Sequence, residues 1–222
     1  MLSGMSKPCF REKGGENVKD KWSVSIVGVG GQGILLVSDI IGRAALLAGK
    51  DVLGSEVHGM AQRGGVVSST VRFGKVHSPL YRKGDIDMLL GFEPVETLRA
   101  AENANPNTVV VTSCVPIYPT TLRTMKQTYP DVNMVLEELS KRFKKITVID
   151  SAKVSDEVGA RIVENIVLLG ALSAVAELPI TEKQFKDAIA ERVPKQFLDL
   201  NLKAFEAGRK AAENAKKVCN AK

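Results

Sequence analysis

A glycine-rich stretch, SIVGVGGQGILL at residues 25–36, constrains the fold of this chain more than any other feature. The apolar run before it, residues 23–29, predicts a buried strand that ends at glycine. The apolar residues after it recur at helical spacing over residues 34–47, and Gly49 supplies a helix stop. A strand that turns through glycines directly into a helix opens a doubly wound α/β fold.

The chain beyond this turn alternates between strand and helix patterns. Short β-branched runs predict strands at residues 51–57, 66–73, 87–92, 108–112 and 146–150, with helices at 94–103 and 133–143. Helices alone follow: one over 155–177 with Ser155 as its N-cap, one opened by the capping box Thr181-x-x-Gln184, and a last one with Phe197, Leu198, Leu202 and Phe205 on one face. We therefore predict an α/β three-layer sandwich with a Rossmann-like, mostly parallel sheet and a helical C-terminal part.

The length and composition fit a single folded domain. The chain has 222 residues, of which 44% are hydrophobic and 25% charged. Residues 1–21 are polar and predict a flexible tail, and residues 22–217 predict one domain.

The charge and the cysteines narrow the classes of partner. The net charge is +6, and residues 1–22 and 195–222 contribute all of it, so we expect no nucleic-acid surface. The three cysteines form no C-x-x-C pair, and this indicates neither an iron–sulfur nor a zinc site. The longest apolar run, residues 166–176, is too short to span a bilayer, and no signal-peptide pattern opens the chain. We expect a cytoplasmic protein with no membrane contact.

The glycine loop fits the pattern G-x-G-x-x-G through Gly28, Gly30 and Gly33. In a dinucleotide site these glycines allow the tight turn, the approach of a pyrophosphate and the packing of the helix. Glu56 would then be the acidic residue that holds a ribose. A tight strand-to-helix turn needs small residues without any ligand too, and the loop alone leaves both interpretations open.

A second polar loop lies between two predicted strands. Within ten residues it holds Glu56, His58, Met60, Gln62, Arg63, Gly64 and Gly65. Ligands and partners gather at the carboxyl ends of strands in an open α/β sheet, so a parallel sheet would place this loop beside the glycine loop. Met60 could anchor a protein interface, because methionine adapts to irregular surfaces. The alternative is a polar turn in which the glycines only supply flexibility.

The two loops together carry a resemblance. GVGGQG at residues 28–33, followed by SEVHGMAQRGGVVSSTVRFG at 55–74, resembles the gamma-type subunits of 2-oxoacid:ferredoxin oxidoreductases, and HGMAQRGG is most similar to their indolepyruvate branch. The resemblance extends from about residue 21 to the last helix. It implies a complex in which thiamine diphosphate attacks a 2-oxoacid, carbon dioxide leaves, electrons pass through iron–sulfur clusters to ferredoxin, and coenzyme A takes the acyl group.

The resemblance gives this chain a supporting role, with no catalytic residue of its own. It lacks cysteines spaced for clusters and a G-D-G motif for thiamine diphosphate, and neither His58 nor His77 has a cysteine or serine partner that suggests a nucleophile. A larger subunit would hold the cofactors, and this chain, inactive alone and binding no metal, would shape the entrance for 2-oxoacid or coenzyme A. The residues expected at that surface are Gly28, Gly30, Gly31, Gln32, Gly33, Glu56, His58, Met60, Gln62, Arg63, Gly64 and Gly65.

Two other functions stay open from the sequence. One is a free-standing NAD(P)- or flavin-binding oxidoreductase, and the other is a nucleotide-sensing module that binds AMP or ADP without catalysis. Aryl pyruvates fit the resemblance best, while pyruvate and branched-chain oxoacids use similar subunits. A homodimer of the isolated chain is a further option.

Overall fold

The computed structural model describes residues 19–58, 64–118 and 128–219, with side chains to residue 215 except that of His58. Most of the predicted tail, and Met60, Gln62 and Arg63, therefore lie outside the described residues.

Six strands form one mixed sheet in the order β2-β3-β1-β4-β5-β6. They are β1 (Lys21–Val29), β2 (Val52–His58), β3 (Val66–Gly74), β4 (Ile86–Gly91), β5 (Ala104–Ser113) and β6 (Lys145–Ile149). β1, β4, β5 and β6 pair in parallel, whereas β3 runs antiparallel to both β1 and β2. The connection from β2 to β3 is too short for a parallel crossover, and this explains the single reversed strand.

The described residues form seven α-helices. They are α1 (Ile34–Leu47), α2 (Pro94–Ala100), α3 (Val132–Arg142), α4 (Ser151–Val158), α5 (Glu164–Val175), α6 (Glu182–Arg192) and α7 (Leu198–Cys219). The predicted helix at 94–103 is α2 followed by a 3-10 turn, Ala101–Asn103. The capping box at Thr181 opens α6 as predicted.

Helices cover both faces of the sheet, so the predicted three-layer architecture is confirmed. Along β1, Ile26 packs into a large core with α1, α5, α6 and α7, while Val27 packs on the other face with α2 and α3. This alternation is the period-two pattern of a strand buried on both sides. The α5 helix is the centre of the large core, and a helix that is apolar on all sides is expected to be buried.

The prediction of one long helix over 155–177 with Ser155 as its N-cap is wrong. The chain forms α4, a 3-10 turn at Arg161–Val163 and then α5. Asp150 is the N-cap of α4, and its carboxylate accepts a hydrogen bond from the Lys153 N–H at 2.9 Å. Ser155 is buried inside α4, which ends at Gly159 because its φ of +106° is left-handed.

The last predicted helix needs one correction. Phe205 is fully buried on α7, as its spacing predicted. Phe197 instead belongs to a 3-10 turn before α7, Lys195–Phe197, and is 47% exposed. It therefore lies outside the buried face of that helix.

Candidate functional site at the carboxyl ends of β1 and β4

The sheet has its topological switch point between β1 and β4. The connection after β1 runs through α1 on one face of the sheet, and the connection after β4 runs through α2 on the other. In open α/β sheets such divergence opens a crevice at the carboxyl ends of the two strands. The glycine loop, residues 28–33, follows β1 and lies at this crevice.

The glycine loop is held by its own glutamine. The Gln32 side-chain carbonyl accepts a hydrogen bond from the Val29 N–H at 2.7 Å, and its amide donates one to the Phe92 carbonyl at 2.9 Å. A Cβ on Gly28 would lie 2.6 Å from Gln32 Oε1 and 2.7 Å from Phe92 Cβ, which is too close. Gly28 is therefore required because the glutamine bridge passes directly over it.

The same loop sets the start of α1. Gly33 is the N-cap, with a left-handed φ of +75°, and its carbonyl accepts from the Val37 N–H at 3.2 Å. The N–H groups of the first turn have no partner inside the helix and carry partial positive charge. The start of α1 lies at the crevice, since Gly33 and Leu36 both line it.

One buried amide faces the start of this helix. Asn165, the second residue of α5, is only 7% exposed. Its Oδ1 accepts from the Ile166 N–H at 2.9 Å, while its Nδ2 lies against Gly33, where a Cβ would overlap it. Within the described residues the structure gives that Nδ2 no hydrogen-bond acceptor. Because Asn165 also lines the cavity described below, its Nδ2 can donate to a group that enters there.

These groups open into a cavity of about 500 Å³, here named the switch-point cavity. Its walls are mostly apolar, and its mouth carries Ile162, which is 84% exposed, together with Phe197. It is lined by Gly31, Gln32, Gly33, Leu36, Phe92, Ile117, Arg161, Ile162, Val163, Glu164, Asn165, Leu168, Arg192, Val193, Pro194, Phe197, Leu200 and Asn201. An apolar pocket with a few convergent polar groups is the usual form of a ligand or partner site.

The charged residues at this cavity already have partners. Arg161 donates two hydrogen bonds of 3.0 Å to Asp156 and lowers the pKa of that carboxyl. Arg192 pairs with Asp39. The Glu164 carboxylate accepts from the Ser151 hydroxyl at 3.1 Å. The cavity therefore offers neutral N–H donors more readily than free cations.

A buried carboxylate, that of Glu93, lies just after β4. Glu93 caps α2 by accepting from the Glu96 N–H at 2.9 Å, and it also accepts from the Tyr129 hydroxyl. Burial and the neighbouring Glu93 raise the pKa of Tyr129. Burial likewise raises the pKa of the nearby Cys114 thiol, and this disfavours the nucleophilic thiolate form.

The second polar loop meets the glycine loop side by side, as expected. The Gly30 N–H donates to the Gly65 carbonyl at 2.8 Å, and the Gly64 N–H donates to the Gly30 carbonyl at 3.4 Å. His58 ends β2, and the remaining predicted residues of this loop, Met60, Gln62 and Arg63, lie outside the described part.

Glu56 lies apart from the switch-point cavity. It is exposed on β2, and β3 lies between that strand and β1. Two strand spacings amount to about 9.6 Å. Glu56 lines a separate groove between α1 and β2, which meets the cavity only at Leu36 and Arg192.

The sequence interpretation missed Asn165, Glu164 and Phe92. Asn165 is the only polar residue in an otherwise apolar run, NIVLLGA, and that isolation is the one local signal of its role. Phe92 lines the cavity because β4 pairs with β1, and Glu164 lines it because a 3-10 turn follows α4. Neither arrangement could be predicted from the local sequence. Within the described residues no group of three or more histidines, cysteines, aspartates or glutamates could hold a metal ion, and no helix is long and apolar enough to cross a membrane.

Comparisons with known proteins agree with this geometry. A family profile described as "Pyruvate ferredoxin/flavodoxin oxidoreductase" matches residues 23–211. The chain is 40% identical over 195 residues to "Indolepyruvate oxidoreductase subunit IorB" of Thermococcus kodakarensis, covering 87% of this chain and 96% of the relative.

Solved structures show the same fold. The gamma subunit of a keto/oxoacid ferredoxin oxidoreductase from Geobacter sulfurreducens superposes with a TM-score of 0.64 at 26% identity, covering 87% of this chain and 99% of that one. A 2-oxoglutarate:ferredoxin oxidoreductase from Magnetococcus marinus superposes with a TM-score of 0.65 at 24% identity. There the match covers 88% of this chain but 32% of the larger one.

Proposed function

Because this chain belongs to the pyruvate ferredoxin/flavodoxin oxidoreductase family, as a gamma-type subunit of a 2-oxoacid:ferredoxin oxidoreductase, we propose that its switch-point cavity faces the active site of a larger subunit. The observation that carries this proposal is the cavity itself. It combines apolar walls, an exposed apolar mouth and two sets of N–H donors at its edge: the first turn of α1 and Asn165 Nδ2.

The cofactors of the reaction belong, in this proposal, to the larger subunit. Thiamine diphosphate would supply the carbanion chemistry of decarboxylation, and iron–sulfur clusters would carry the electrons to ferredoxin. The described residues do not fit either group, because they contain no acidic or thiol cluster for a metal and Cys114 stands alone with a raised pKa. We therefore assign this chain no step of the redox chemistry.

The contribution of this chain is to shape the entrance for 2-oxoacid or coenzyme A. The first turn of α1 and Asn165 can donate hydrogen bonds to a carboxylate, a phosphate or a carbonyl of either molecule, or of the partner chain. The apolar walls exclude water from the neighbouring reaction, and this strengthens such hydrogen bonds. Gln32 positions the loop and has both of its polar atoms engaged in doing so.

The geometry disfavours the dinucleotide alternative. In a dinucleotide site, the acidic residue follows the strand adjacent to β1, whereas here β3 separates β1 from β2 and Glu56 lines another groove. Asn165 also occupies the space above Gly33 where a pyrophosphate would approach the helix. The glycine loop thus has a dinucleotide-like form with a different role.

The substrate we propose is an aryl pyruvate such as indolepyruvate. Its support is the 40% identity to a subunit named for that oxidoreductase. The partners we propose are the larger cofactor-bearing subunit and, through it, ferredoxin, in the cytoplasm. A homodimer of the isolated chain is part of the same proposal.

A single substitution at the cavity mouth tests the docking surface. Ile162→Asp should abolish co-purification with the larger subunit from anaerobic lysate, because an exposed isoleucine at a protein interface contributes by being desolvated. Met134→Asp is the matched control: Met134 is 70% exposed on α3, on the opposite face of the sheet. Both variants should keep the wild-type melting temperature.

The readout is the visible absorption of the eluate and the masses of its chains. A brown eluate with a larger chain for wild type and Met134→Asp, and a colourless lone chain for Ile162→Asp, would support the proposal. Equal recovery of the larger chain with Ile162→Asp would place the docking surface elsewhere. A colourless lone wild-type chain that binds NAD(H) tightly would favour the dinucleotide alternative.

A further inference from the structure

We propose that two copies of this chain associate through the open edge of β2, joining their sheets edge to edge about a two-fold axis. The inference deepens the homodimer proposed above and does not depend on the larger subunit. Three observations carry it: the direction of the backbone groups of β2, the lack of protection at that edge within the described residues, and a groove beside it that exposes two leucines.

The hydrogen-bond pattern shows which groups of β2 point outward. The Gly74 N–H donates to the Asp51 carbonyl at 2.9 Å, so Asp51 faces β3. In an antiparallel pair, successive residues alternate between facing the partner strand and facing away. The register pairs Val52 with Phe73 and Gly54 with Val71, so the N–H and C=O groups of Val52 and Gly54 point away from β3. These groups are a template for another strand.

Within the described residues, the β2 edge lacks the features that usually prevent strand pairing. Folded proteins protect sheet edges with lysine, proline, bulges or very short strands. β2 has seven residues, VLGSEVH, with no lysine or proline and a single acidic residue. The opposite edge, β6, has five residues and begins with Lys145, which pairs with Glu177 at 3.3 Å. Of the two sheet edges in the described part of the chain, β2 is therefore the longer and less protected one.

A groove of about 850 Å³ runs beside this edge, between α1 and β2. Leu35 and Leu46 of α1 lie at it and are 40% and 50% exposed, while Val52, Gly54 and Val71 lie at its base. A second chain seated in the groove would cover both leucines, and their removal from water favours association.

The charges of the groove favour a second copy over a charged partner. Asp39 pairs with Arg192 and Glu191 pairs with Arg43, while Glu56 is the remaining charged residue of the groove, so its charges nearly balance. A two-fold axis places a surface against itself, and a surface with one dominant sign would repel its copy. β2 is about 24 Å long and α1 is about 21 Å long. Because the two lengths are similar, the strand edge and the leucines of α1 can form one continuous surface.

The test measures the dimer by sedimentation equilibrium of the full chain. Gly54→Lys should raise the dimer Kd by at least about tenfold, which corresponds to about 1.4 kcal/mol, because it places a charge in the groove and at the edge. The monomer can accept this side chain, since a Cβ on Gly54 meets only the Thr70 carbonyl at an ordinary 3.8 Å. Met134→Lys makes the same charge change on α3 and should leave the Kd unchanged.

Two further measurements keep the test decisive. Leu46→Glu, which leaves β2 untouched, replaces Gly54→Lys if that variant loses its thermal transition, and it should weaken the dimer similarly. Hydrogen exchange should show the amides of Val52 and Gly54 protected in concentrated samples and exchanging on dilution. The Leu53 and Ser55 amides, which face β3, should stay protected at both concentrations.

Three results would contradict the proposed dimer. A wild-type chain that stays monomeric when concentrated would refute self-association, whether or not it still binds the larger subunit. A dimer unaffected by both groove variants would place the interface elsewhere. Protection of Val52 and Gly54 only when the larger subunit is present would assign the edge to that subunit instead of a second copy.

Discussion

At the scale of single residues, Gly33 and Asn165 define the site together. Gly33 has a φ of +75° at the start of α1, and the side-chain amide of Asn165 lies where its Cβ would be. Gly31, two residues earlier, has a φ of +106°, but a Cβ added there would meet nothing within 4 Å among the described residues. A side chain at Gly31 would therefore meet only the cost of the left-handed backbone. A side chain at Gly33 would meet that cost and a clash with Asn165.

We predict that Gly31→Ala lowers the free energy of unfolding by about 1–2 kcal/mol, the cost of a left-handed residue with a Cβ. Gly33→Ala should cost clearly more, because its Cβ also displaces Asn165. Urea unfolding of both variants measures the difference.

A double substitution tests the cause of that difference. In an Asn165→Ala background, the extra cost of Gly33→Ala should fall toward that of Gly31→Ala, since the blocking amide is gone. Equal costs at Gly31 and Gly33 in the wild-type background, or an extra cost that persists without Asn165, would contradict the packing described here.

At the scale of elements, the sequence predicted correctly those helix ends that neighbouring residues determine. The bounds of α1 were predicted correctly because glycines flank an uninterrupted helical period, and the Thr181 capping box opens α6 as expected. The helix predicted over 155–177 failed at Gly159, where a left-handed residue ends α4 inside an otherwise continuous pattern.

The sequence pattern did not predict which strands pair with each other across the sheet. The position of β3 between β1 and β2 follows from the short hairpin and from pairings across the sheet, and it is what separates Glu56 from the glycine loop. The cavity likewise depends on α5 and the 3-10 turn before α7 meeting the loop. The sequence pattern singled out the two glycine-bearing loops. The roles of Asn165 and the exposed apolar residues at the cavity could be recognised only from the folded structure.

The α5–α7 contact shows how glycines set element packing. A Cβ on Gly170 of α5 would overlap the Phe205 carbonyl of α7, and one on Gly208 of α7 would overlap the Val167 carbonyl of α5. The two helix backbones can approach this closely only because both positions lack a side chain. This approach fixes α5, and with it Asn165 at the cavity.

We predict opposite signs for alanine at two buried helical glycines. Gly170→Ala should destabilise by about 1–3 kcal/mol or more, because the neighbour it meets is backbone that cannot rotate away. Gly42→Ala in α1 should stabilise by about 0.4–1 kcal/mol, because its Cβ would meet only Val52 and Val71 at 3.5 and 4.0 Å. Thermal unfolding of both variants gives the signs, and a stabilised Gly170→Ala would refute the close approach.

At the scale of the whole molecule, the sheet divides its surfaces between two tasks. The carboxyl ends of β1 and β4 carry the switch-point cavity and the paired glycine loops, which we assign to the larger subunit. The β2 edge and its groove, which we assign to a second copy, lie on the far side of β3 from β1. The two surfaces meet only at Leu36 and Arg192, so an assembly can use both.

The most direct test of the central claim is reconstitution of the reaction. The larger subunit and this chain are purified separately without oxygen, and ferredoxin reduction with indolepyruvate and coenzyme A is measured as this chain is added. The account predicts no sustained turnover from either chain alone, and turnover that saturates as the complex forms. Full turnover by the larger subunit alone, or no gain on adding this chain to a subunit it binds, would contradict the account.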